Sequence, residues 1–147
     1  MTTRTQPFTA AERRYLASQR LGRLATAAPD GVLQNSPVGY FVNEVLGTVD
    51  IFGLAMGSTR KFRNIRVDPH VALVVDDVAS IDPWTVRGVE IRGIAQALED
   101  QDPPIDTMSP EIIRIHPRRV ISWGVDPDRS GMQGRDVGGS GPDDRVA

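Results

Sequence analysis

The sequence predicts a mainly β domain: six strands closed into a barrel or split barrel, with an N-terminal helix and a short helix between strands three and four. Three observations carry this prediction. Short apolar runs recur along the chain, the longest being Trp84–Leu98 (WTVRGVEIRGIAQAL), marked by Val86, Val89 and Ile91. Turn signals such as Pro29-Asp30-Gly31 separate the runs into hairpins. Six short strands joined in this way favour closure, because an open sheet would leave unpaired edges. At 147 residues the chain is the size of one domain and can bury a core without crosslinks.

Taken in order, Thr9-Ala10-Ala11-Glu12 fits a capping box that opens a helix running to about Gln19. Arg20–Ala28 reads as the first strand, and Val32–Val42 returns after the turn at Pro29-Asp30-Gly31. Pro37 inside that run predicts a bulge or a stretch of unpaired edge, since proline cannot donate to a ladder. Thr48–Ala55 is the third strand. Gly57-Ser58-Thr59 then caps a short helix, Arg60–Val67, which Asp68-Pro69 ends. His70–Asp76 and Trp84–Leu98 are strands four and five, with Gly88 and Gly93 allowing bends in the wall. The sixth strand lies within Ile112–Gly124. Residues 1–125 are thus expected to form the barrel domain. Residues 126–147, rich in Gly, Asp, Arg and Pro with little to bury, are expected to be a disordered tail.

Composition excludes several function classes. The chain has no cysteine, so thiol catalysis, disulfides and zinc-thiolate sites are ruled out. Two histidines, His70 and His116, are too few and too far apart for a histidine cage, and no metal site is expected. A net charge of −2 gives no global pull toward nucleic acid or anionic membrane. No signal peptide or membrane span is readable, so a cytoplasmic location is expected. Nucleophile elbow, P-loop and dinucleotide fingerprints are missing, and so is an acid–base or nucleophile set. That pattern fits an enzyme whose cofactor does the chemistry.

Three segments carry possible chemistry. The first is Gly57-Ser58-Thr59 followed by Arg60, Lys61, Arg63 and Arg66: hydroxyls, a helix N-terminus and four cations, suited to a phosphate or a polyanionic tail. Lys61 and Asn64 lie three apart on this helix. Of 17 basic residues Lys61 is the one lysine, which hints that a compact ammonium is required there. A solvated basic face is the competing reading. The second segment, Gln34-Asn35-Ser36-Pro37-Val38, could offer amide and hydroxyl groups to the edge of a heteroaromatic ring, or be a polar stretch around a structural proline. The third comprises Trp123, ahead of Gly124, and Trp84; each is either a ligand wall or core.

In this order the pieces resemble the pyridoxamine 5'-phosphate oxidase-like family with its FMN-binding split barrel. The resemblance runs from about Phe8 to Val125. It is carried by Leu24-Ala25-Thr26, Asp30-Gly31, Ser36-Pro37-Val38, Lys61-Phe62-Arg63-Asn64 with Asp68-Pro69, Arg92-Gly93-Ile94-Ala95, and Pro117–Gly124. It implies a homodimer with cofactor sites between subunits, acting on a small-molecule substrate. Many actinobacterial members are deazaflavin reductases that use coenzyme F420 in place of FMN, and this chain is similar to that branch. The resemblance places Lys61 and Asn64 at the cofactor phosphate, with Gly57, Ser58 and Thr59 around them. Asn35, Ser36, Pro37 and Val38 would run along the ring system. Arg60, Arg63 and Arg66 would hold the longer anionic tail. The alternatives are an FMN-dependent oxidase or reductase, or a non-enzymatic flavin or haem module of the same barrel. The phosphate-binding set of the oxidase proper is not visible, and the stretch before the last strand is short.

Overall fold

The computed structural model describes residues 6–138. Its elements are α1 (Ala10–Ser18), β1 (Leu21–Ala27), β2 (Leu33–Asn43), β3 (Thr48–Phe52), α2 (Arg60–Val67), β4 (His70–Ile81), β5 (Trp84–Leu98), β6 (Ile112–Trp123) and β7 (Met132–Asp136), with a single 3₁₀ turn at Met56–Ser58. The strands run β3-β2-β1-β4-β5-β6-β7, and an additional β3–β6 pairing closes the first six into a barrel. One edge of β6 is shared: Ile112–Ile115 pair with β3, while Arg119–Trp123 pair with β7. The barrel is therefore split along β6.

Strand alternation fills the interior. Leu24, Val49, Ile51, Leu73, Val75, Val89, Ile91, Ile113, Ile115 and Val120 are all buried in one cluster. Each such side chain is worth roughly 1.5–3 kcal/mol relative to exposure. The helices plug this core: Tyr15 and Leu16 from α1, Phe62 and Ile65 from α2. The expected capping box is present in both directions, with Thr9 Oγ1 accepting from the Glu12 N–H and Glu12 accepting from the Thr9 N–H. Gly88 is required by close approach, because a Cβ there would overlap the Trp123 indole.

Two features differ from the sequence expectation, and at Pro37 the structure selects one of the two expected alternatives. Strand β4 runs on to Ile81 and pairs with β5 through the hairpin, with a bulge between Val78 and Ser80 absorbing the turn-rich composition. Around Pro37 the β1–β2 register is unbroken, while the β2–β3 ladder begins only at Gly39, so proline occupies strand edge and not a bulge. The expected tail contains β7. Its residues alternate exposed and half-buried with no apolar face, so no periodicity announces it. Pairing to the free half of β6 and the contact of Arg135 with Glu12 hold it instead. Residues 139–147 of the expected tail lie outside the described residues.

Candidate functional site

Helix α2 is aimed by its cap and its buried side. Thr59 Oγ1 accepts from the Phe62 N–H at 3.3 Å and donates to the Met56 carbonyl at 2.7 Å. Asn64 is buried, and its Nδ2 donates to Thr26 Oγ1 at 3.0 Å and to Gln34 Oε1 at 3.2 Å. That amide bolts α2 to β1 and β2. Both contacts use the Nδ2 donors, and Asn64 also lines the cleft that carries Arg60 and Arg63.

The glycine–hydroxyl cradle is also engaged within the chain. The Gly57 N–H donates to Glu111 Oε1 at 3.1 Å, and a Cβ on Gly57 would meet Glu111 Cδ at 2.8 Å. Ser58 Oγ donates to the Ala55 carbonyl at 3.0 Å. Glu111 lies 54 residues along the chain, and no local signal in the sequence ties it to this turn.

The four cations of α2 separate into two classes. Arg63 Nη1 donates to the Ser58 carbonyl at 2.9 Å, and Arg66 meets Glu99 at 2.6 Å with its guanidinium 4.7 Å from the Phe62 ring centroid. Arg60 and Lys61 have neither ion pair nor hydrogen bond among the described residues. Arg60 is exposed, but Lys61 is half-buried. At 3.6 residues per turn Lys61 projects between the directions of Asn64 and Ile65, both buried. A cation drawn toward the barrel without a counter-ion is the chief electrostatic feature of this end.

Alternation splits the expected ring-binding run. Asn35 and Pro37 point outward, whereas Ser36 and Val38 point inward. Val38 belongs to the core, so only its backbone could touch a ligand. Ser36 Oγ is buried and has no hydrogen-bond partner among the described residues. An orphaned hydroxyl of this kind calls for a partner supplied from elsewhere.

Two clefts open beside α2 and the outer face of β1. One, of about 480 Å³, spreads over Ala25, Ala27, Leu33, Ala72 and Ile94, with Arg92 and Arg118 at its margin. The other, of about 490 Å³, is lined by Ala28, Asp30, Arg60, Arg63 and Val67. Consecutive residues serve both, Ala27 with Ala28 and Val67 with Asp68, so the clefts share an edge. An apolar slab that continues into a basic rim suits a flat ring bearing an anionic chain. The slab was missed in sequence because its makers are small, unremarkable residues on the outer face of β1 and β4. Neither tryptophan walls it: Trp84 is exposed at the hairpin and Trp123 covers Gly88.

Asp77, Asp68, Tyr15 and Tyr40 are each shifted further from neutrality. Hydrogen bonds from Arg87 and then Tyr15 lower Asp77, and the bond from His70 lowers Asp68. Burial, then the Asp77 contact, raises the Tyr15 phenol; burial alone pushes Tyr40 up to about 12. His70 Nδ1 sits 2.8 Å from Asp68, and His116 Nε2 sits 2.6 Å from Gln96. No resolved shift moves a described group toward neutrality, as a general acid or base would require.

Comparison with known proteins gives this arrangement its context. The family model described as pyridoxamine 5'-phosphate oxidase matches residues 8–131. The 5a,11a-dehydrotetracycline/5a,11a-dehydrooxytetracycline reductase of Streptomyces rimosus is 46% identical over 136 residues, covering 89% of this chain and 94% of that protein. Among solved structures, a heme binding protein from Mycobacterium smegmatis superposes with TM-score 0.64 at 18% identity, over 90% of this chain and 60% of that one. An F420 reductase superposes with TM-score 0.53 at 24% identity, over 69% and 88%. At such identities the two structures speak for the fold alone.

Proposed function

We propose that this chain, which belongs to the pyridoxamine 5'-phosphate oxidase-like split-barrel family, is a reductase that uses coenzyme F420 to reduce a conjugated small-molecule acceptor. The family and the reductase relative make it an oxidoreductase with a flavin-type cofactor. The choice of a deazaflavin rests on one observation: Arg60 and Arg63 rim a cleft, and Arg60 and the adjacent Lys61 carry neither ion pair nor hydrogen bond among the described residues. Two free cations in sequence suit a cofactor with a phosphate and a longer anionic tail better than the single phosphate of FMN.

The residues present fit such a group. Lys61 and Arg60 would hold its anionic part, and Asn35 and Pro37, on the outer face of β2, would face its ring. Gly57, Ser58 and Thr59 set the start of α2, with Asn64 fixing the helix against β1 and β2. Bound there, the reduced cofactor supplies a hydride. The protein contributes orientation and exclusion of water, and the balancing proton comes from solvent. The reductase relative supports an acceptor with conjugated carbonyl chemistry, since the name of that protein states a dehydrotetracycline substrate.

The reading includes a cytoplasmic homodimer. Val32 and Leu33, beside the apolar slab, are 63% and 76% exposed, more bare apolar surface than a lone barrel would leave there. No helix among the described residues is long and apolar enough to cross a membrane. Sedimentation is expected to give twice the chain mass of 16.0 kDa. The test of the activity mixes the full chain with a conjugated enone and either reduced F420 or reduced FMN. Turnover with F420 alone is expected; turnover with FMN alone would replace this reading with the FMN-dependent one.

A further inference from the structure

A third cleft, of about 600 Å³, lies between α1, the β2–β3 pair and the loop before β6. The rings of Phe41 and Phe52 meet edge to face on one side, centroids 5.8 Å apart at 73°. Ile105, which is 51% exposed, and Met108 line it from the loop. That loop is pinned: the Ser109 N–H donates to the Gly53 carbonyl at 2.9 Å, and Ser109 Oγ accepts from the Met56 N–H at 2.9 Å. Between these walls Gly39 leaves the floor bare, since a Cβ placed there would meet no atom within 4 Å.

Charge at the α1 end is unbalanced. Arg13 and Arg20 face one carboxylate, Glu44. Arg13 approaches Glu44 only to 4.0 Å and donates to the Phe8 carbonyl, while Arg20 has no ion pair among the described residues. An aromatic wall, an adaptable thioether, a bare floor and an excess guanidinium together recognise a flat conjugated anion.

We infer that this groove is the acceptor subsite and takes a fused-ring, enolate-bearing compound. The assignment rests on the reductase reading above. Pro37 and Gly39 are next-but-one neighbours on the outer face of β2, about 7 Å apart, so the groove begins where the ring-facing residues Asn35 and Pro37 end. An acceptor seated against Phe41 therefore lies alongside the cofactor ring and not at its anionic tail.

The test uses tetracycline as a fluorescent fused-ring enolate, titrated into the full-length, cofactor-free protein. Wild type is expected to bind, and Gly39→Leu to lose at least tenfold in affinity by filling the floor. Because that leucine enters open space at a strand position, its melting temperature should match wild type. Phe41→Ala should weaken binding severalfold, and Arg20→Ala should weaken it less at high salt than at low salt. No binding by wild type, or equal binding by a folded Gly39→Leu, would overturn the assignment. Loss at Gly39→Leu supports the groove whether or not F420 binds; F420 titrated separately reports on the cofactor reading alone.

Discussion

Glu12 on α1 and Lys61 on α2 are both charged residues drawn inward at a helix that plugs the barrel, and the fold treats them in opposite ways. Glu12 is only 1% exposed, yet every lone pair of its carboxylate is answered. Arg135 meets it at 2.6 and 2.9 Å, Ser122 Oγ donates at 2.7 Å and the Thr9 N–H at 2.9 Å. Burial alone would raise this carboxyl, but the bonds from Arg135, Thr9 and Ser122 together bring it below its ordinary range. Lys61 has no such company among the described residues. A satisfied buried charge is a structural clasp; the half-buried one without a partner among the described residues is the group that the proposed function assigns to a ligand.

The largest effect should come from breaking the clasp. Arg135→Ala leaves a buried carboxylate unpaired and is expected to cost about 2–3 kcal/mol, the low side of the range because Arg135 is itself one-third exposed. Chemical denaturation measures it, and truncation before Met132 should reproduce the loss. The same clasp predicts acid sensitivity. With Glu12 depressed in the folded state, its stabilisation is full above the ordinary carboxyl value of 4.5 and fades as pH falls through the lower folded value. Glu12→Gln should remove that part of the acid dependence; an unchanged acid profile would show the clasp to be silent.

Next comes Asn64→Ala, which removes two hydrogen bonds between α2 and the barrel and is expected to cost about 1–2 kcal/mol. A variant as stable as wild type would show that these bonds do not anchor α2. The smallest effect is expected from Arg87→Ala. Its pair with Asp77 is partly solvated, at 2.7 Å, and should be worth no more than about 1 kcal/mol.

The sequence was a good guide to the barrel because six of its strands carry apolar alternation and its α1 cap is local. Strand β7 was illegible for the opposite reason: MQGRD has no apolar face, and its order comes from a partner strand and from Glu12, 123 residues away. Lys61 stood out as a lone lysine among arginines. At Gly57 the sequence could not show the bond to Glu111, which the fold brings there from 54 residues away. The run from Asn35 to Val38 was read as one surface, although strand alternation had to divide it.

Under the proposed function Lys61 is a binding group with no structural duty. Equilibrium titration of F420 into wild type and Lys61→Ala, with thermal melts of both, tests it most directly. Loss of a charge-assisted hydrogen bond of about 1.5–3 kcal/mol predicts a ten- to hundredfold rise in Kd with unchanged melting temperature. Affinity within about twofold of wild type, or a melting temperature that falls with the substitution, would contradict it.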